Sequence, residues 1–121
     1  MMAEETIGHI TIAPDVLLTV VKFSALQHPG VARLAHRKPF RPGRPFKGKA
    51  AMGPGVAVLV EDNHVTAEVH VVADGSVSAQ ELGQSLQQHI RDALEEMVGM
   101  PVDAVYVYIE DVITESHSRT R

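Results

Sequence analysis

Cysteine and tryptophan are both absent from this 121-residue chain, and aromatic residues make up only 4% of it. Without cysteine there is neither a disulfide framework nor a thiolate metal site. With so few rings the core has to be built from aliphatic side chains, since apolar residues still reach 45% of the sequence. No stretch approaches the roughly 20 apolar residues that span a bilayer. The opening MMAEETIGHI carries two acids and no apolar run, so it does not read as a signal peptide. The expected location is therefore cytoplasmic, at a membrane only where a partner carries the chain there. A catalytic signature is also missing: no nucleophile, base or metal-ligand set stands at recognisable spacing. No catalytic residue, resident metal or cofactor is expected. The length suits a single domain over 1–113 with a polar tail at 114–121, enough to bury roughly two-thirds of the unfolded surface.

What is present has a clear rhythm. Gly8-His-Ile-Thr-Ile12 alternates and predicts a short strand. Pro14 and Asp15 suit a first helical turn, and Val16, Leu17, Val20, Val21 and Ser24 or Ala25 continue at helical spacing to about Gln27. From Val31 to Gly55 four prolines and four glycines leave no sustained period, which predicts a long loop over 31–55. Val56–Val60 reads as a buried strand, Asp62-Asn63 as a tight turn, and His64–Ala73 as an alternating strand that closes an antiparallel hairpin. Ser78-Ala-Gln-Glu81 is a capping box flanked by Val77 and Leu82. Leu82, Leu86, Ile90, Ala93, Leu94, Met97 and Val98 then form one apolar stripe that Gly99 stops. A last strand runs from about Val102 to Ile109, with Val105, Val107 and Ile109 inward and Tyr106 and Tyr108 outward. The order β-α-β-β-α-β predicts an α+β two-layer sandwich: a four-stranded, mainly antiparallel sheet with two helices on one face. The opposite face would show His9, Thr11, Thr66, Glu68, His70, Tyr106 and Tyr108.

Set against that body is RKPFRPGRPFKGK, residues 37–49. It holds Arg37, Lys38, Arg41, Arg44, Lys47 and Lys49, the rings of Phe40 and Phe46, and no acid. Five bases remain against fifteen acids elsewhere, so a body of about −10 carries a segment of +6. Proline keeps such a segment extended, and its cations suit the phosphates of nucleic acid or lipid headgroups, with the two rings free to stack or to enter an interface. The plainer reading is a solvated loop, or one lying on the acidic surface of its own body or of a neighbouring subunit. Gly43 to Ala50 also approaches P-loop spacing, but Ala50 lacks the hydroxyl that magnesium needs and Pro45 removes a backbone N–H.

The ordered set of pieces resembles a known family. GHITIAPDVL, HPGVARL, GVAVLVEDNHVTAEVHVVADGSVS and LQQHIRDALEEMVGMPVDAVYVYIEDV are similar, in that order, to segments of the alkaline-shock protein family, the cell envelope stress-response proteins of bacteria. Everything from about residue 7 to 113 is covered except the basic loop, where this chain departs from a shorter, less basic linker. The resemblance implies a small cytosolic, non-enzymatic stress-response scaffold that self-associates as a homo-oligomer. It also implies a protein partner, in some members a membrane anchor, docked at the envelope or on a membrane-linked enzyme. The family has no established catalytic residues to carry over. The alternative function is a nucleic-acid-binding module that uses 37–49.

Two further constellations stand out in the residues themselves. His70, Tyr106 and Tyr108 form a candidate interaction patch on the open face, although Glu68 beside them repels phosphate and the motifs of base-stacking sheets are missing. Seven histidines include no i, i+4 pair, which leaves His9 and His70 with Glu68 as the one conceivable metal set, against ordinary surface histidines. Glu95-Glu96 and Glu110-Asp111 are adjacent, so each pair should diverge and remain solvated.

Overall fold

The computed structural model describes residues 7–37 and 48–114. Pro14 sits at the first turn of α1 (Pro14–Gln27), where its missing N–H costs nothing, and Asp15 meets the positive helix end. Leu17, Val21, Ser24 and Ala25 form its buried stripe. Ser78 caps α2 (Ala79–Ala93) by accepting from the Glu81 N–H at 3.1 Å, and Leu82, Leu86 and Ile90 face inward. Antiparallel turns order the middle of the chain. Pro54-Gly55 joins β2 (Lys49–Gly53) to β3 (Val56–Glu61), with φ 76° at Gly55 as a type II turn requires. Asp62 and Asn63, both at positive φ, join β3 to β4 (His64–Ala73) as the hairpin signal predicts.

The class is the expected one: a two-layer α+β sandwich with both helices on one face and a mainly antiparallel sheet. Its strands differ in number and identity. The sheet has five, running β2-β3-β4-β5, with β1 (Val31–Leu34) pairing the far half of β4 on the same side as β3. β5 (Val102–Val112) lies parallel to β4. The core fills the space under the helices, where Val56, Val58, Val65, Ala67, Val69, Val71 and Val105 meet Leu17, Val21, Leu82, Leu86, Ile90 and Leu94.

Three expectations need correction. Residues 8–12 are not a strand: they lie outside the sheet, with Ile10 90% exposed and only Ile12 packed against the core. The predicted loop 31–55 contains β1 and β2, because pairing with β4 and β3 holds extended two segments whose own residues say little. Met97 leaves the apolar stripe and is exposed. The helix ends in a π turn over Leu94–Val98, closed by the Gly99 N–H donating to the Leu94 carbonyl at 3.0 Å. That wider turn rotates Met97 outward, while Gly99, at φ 84°, stops the helix as expected.

Candidate functional site: the tyrosine face of the sheet

Alternation along β4 sends Thr66, Glu68 and His70 away from the helices, and the register of β5 sets Tyr106 opposite Glu68 and Tyr108 opposite His70. His70 lies where β4 changes partner. Its N–H donates to the Gly55 carbonyl and its carbonyl accepts from the Ala35 N–H, both at 2.8 Å. The Gly55 N–H in turn donates to the Arg37 carbonyl at 3.0 Å. A Cβ at position 55 would come within 2.5 Å of the Ala35 carbonyl oxygen, so only glycine lets the three strands converge.

The convergence assembles a chain of charge. His70 Nδ1 lies 2.6 Å from Glu110 Oε2, and Nε2 lies 2.6 Å from Glu68 Oε2. Arg37 Nη2 reaches Glu110 Oε1 at 3.3 Å. Two carboxylates facing both ring nitrogens need a proton in each gap, so either the ring carries both or one glutamate is a carboxylic acid. Glu68 and His70 are only 5% and 8% exposed, and a buried ionic group keeps its place only while paired. The hydrogen bond from His70, then the Arg37 charge, holds the Glu110 carboxyl below its ordinary range. Tyr108 stacks on the imidazole, with centroids 4.6 Å apart and planes 12° from parallel. Tyr108 remains 45% exposed and Tyr106 51%, side by side on a strand.

The predicted patch of His70, Tyr106 and Tyr108 is thus assembled, with His70 as its buried support. Glu110 was missed. Read as a solvated acid beside Asp111, it follows Tyr108 on the same side of the strand, as the extra residue of a bulge opposite Val71 and Val72, with its carboxylate on His70. His9 and Thr11 are not on this face, because their segment is outside the sheet. The metal set of His9, His70 and Glu68 does not form, since both His70 nitrogens face carboxylates. Of the basic segment, Arg37 reaches back to Glu110, although its side chain stays largely exposed. Lys49 opens β2, opposite Val60, where a P-loop needs a helix. Lys38, Phe40, Arg41, Arg44, Phe46 and Lys47 lie outside the described residues.

These features define a two-layer sandwich whose uncovered face presents paired tyrosines on a buried ionic support. The chain belongs to the alkaline-shock protein family, ASP23, which matches residues 2–114 and is described as having a cell envelope-related function. It is 30% identical over 115 residues to the uncharacterized protein Spy1535 of Streptococcus pyogenes, covering 94% of this chain and 86% of that one. It is also 30% identical over 104 residues to the uncharacterized protein YqhY of Bacillus subtilis, covering 85% of this chain and 76% of that one. Among solved structures, a MamM CTD variant overlays 80% of this chain and 94% of its own at 11% identity and TM-score 0.44, too loose an overlap to argue from. No described helix is long and apolar enough to cross a membrane.

Proposed function

We propose that this protein is a non-catalytic scaffold of the cell envelope that self-associates and receives a protein partner on the tyrosine face. The observation that carries the reading is the stack of exposed Tyr108 on His70, itself clamped between Glu68 and Glu110. A ring fixed in this way loses little freedom when a partner covers it, and tyrosines of this kind dominate the energy of protein interfaces. Catalysis is the weaker reading, because His70 has no nitrogen left to take a proton from a substrate. The acids on this face also disfavour a phosphate-bearing partner there.

The test is affinity capture from a membrane-containing lysate with the intact protein and with the Tyr106→Ala/Tyr108→Ala variant. The expected result is a stoichiometric protein partner held by the first and lost by the second, with the fold of both unchanged by circular dichroism. Capture that both variants share, or that nuclease treatment abolishes, rejects this face as the docking site.

A further inference from the structure

Residues 8–12 carry the alternation of a strand, yet no hydrogen bond joins them to any other described residue. Ile10 stands almost wholly in water. The same chain has a sheet edge to match. β2 is five residues long, as is the segment, and no other described residue bonds to its outer backbone. The opposite edge is less open, because Gln87 Nε2 donates to the Val105 carbonyl and Arg91 Nη1 to that of Val102. A strand-patterned segment and a sheet edge that no described residue pairs satisfy each other reciprocally when two copies exchange them.

We propose that residues 8–12 of one copy pair with β2 of a second copy, and the reverse, in a strand-exchanged dimer. This rests on the self-association read above and supplies its geometry. With the segment centred on β2, Ile10 lies opposite Ala51, whose side chain faces the helices. Gly53 lays no side chain on the half-buried Leu18, which a Cβ at 53 would touch at 3.8 Å. Ala51 and Gly53, the small residues on the helix side of β2, therefore give room to Ile10 beside Lys49 at the end of that row, with His9 and Thr11 on the tyrosine side. That alternation is the one the sequence already writes.

The natural absence of cysteine makes the test clean. Ile10→Cys chains are mixed with tagged Ala51→Cys chains, oxidised and run without reductant, and the full-length protein is sized by sedimentation velocity. Expected are a dimer, a disulfide-linked tagged–untagged pair, and an Ile10→Pro variant whose dimer dissociates at least about tenfold more readily. Its circular dichroism and monomer melting temperature should match the parent. A dimer that survives Ile10→Pro and gives no mixed disulfide overturns the exchange while leaving self-association intact. A chain monomeric at every concentration overturns both. Ile10→Cys/Ala51→Cys protein that cross-links only within single chains places the strand on its own edge, and also overturns the exchange.

Discussion

On one side of β4, Val65, Ala67, Val69, Val71 and Ala73 pack under two helices; one residue away along the same strand, Glu68 and His70 are almost as buried and are charged or charge-bearing. At these positions both sides exclude water, but they are held differently. The helix side gains from every apolar contact, whatever its direction, so it degrades gradually as atoms are removed. The tyrosine side depends on two hydrogen bonds and an ion pair in fixed geometry, and the loss of one member disturbs the others at once. The first face supplies stability. The second spends some of it to hold two aromatic rings still.

The comparison breaks first where the effects are largest. Leu86→Ala should cost about 3 kcal/mol in chemical denaturation, by transfer and cavity terms, and leave partner capture by the folded fraction unchanged. His70→Leu should cost a similar or slightly smaller amount, on the order of 2–3 kcal/mol, for a different reason: Glu68 and Glu110 lose the group between them. The two mechanisms separate in a second variant. Adding Glu68→Leu to His70→Leu should recover much of the loss, because the buried carboxylate that faced the imidazole is gone, whereas no second truncation rescues Leu86→Ala. A double variant less stable than His70→Leu would mean that the tyrosine side behaves like the core after all.

The two sides also differed in how plainly the residues announced them. Pro14, the Ser78–Glu81 cap, the Asp62-Asn63 turn and Gly99 act within a few residues, so both helices and the β3–β4 hairpin were legible. The patch of His70, Tyr106 and Tyr108 followed from strict alternation. β2 was not legible, because KAAMG is a poor strand former that only the Pro54-Gly55 turn and β3 hold extended. Residues 8–12 misled for the opposite reason: their pattern is a strand's, but no described edge of their own chain pairs with it. Glu110 continues the alternation of Tyr106 and Tyr108 and was overlooked as one of two adjacent acids, whereas Arg37 joins through the glycine where three strands converge, which has no local signature.

A smaller effect sharpens the ionic side. The Glu110 carboxyl is held below its ordinary value, about 4.3 for glutamate, by His70 first and Arg37 next. A depressed carboxyl stabilises the fold fully above that ordinary value, and the contribution disappears as pH falls through the lowered one. Glu110→Gln should therefore be less stable than the parent at pH 6 and approach it as pH drops below about 4, in urea titrations across that range. Parallel curves would show that Glu110 is not linked to folding.

The smallest expected effect lies at the seam between α1 and α2. The Gly30 N–H donates to His28 Nδ1 at 3.0 Å, so that nitrogen keeps its lone pair and the ring proton sits on Nε2, donating to Ser85 Oγ at 2.8 Å. Burial, then the neighbouring His89, lowers the His28 value below the ordinary 6.5 or so, with Asp74 opposing them. The neutral ring is thus the one that fits. Its contribution is complete above the ordinary value and fades as pH falls through the lowered one, the same sign as for Glu110 but in a higher window. Protonation at Nδ1 also removes the acceptor for Gly30, whose carbonyl takes the Asp74 N–H where β4 ends. NMR should show the His28 ring and the Gly30 amide titrating with one shared midpoint below 6.5, and His28→Gln should lose the amide transition. Two separate midpoints would mean that the ring does not hold this seam.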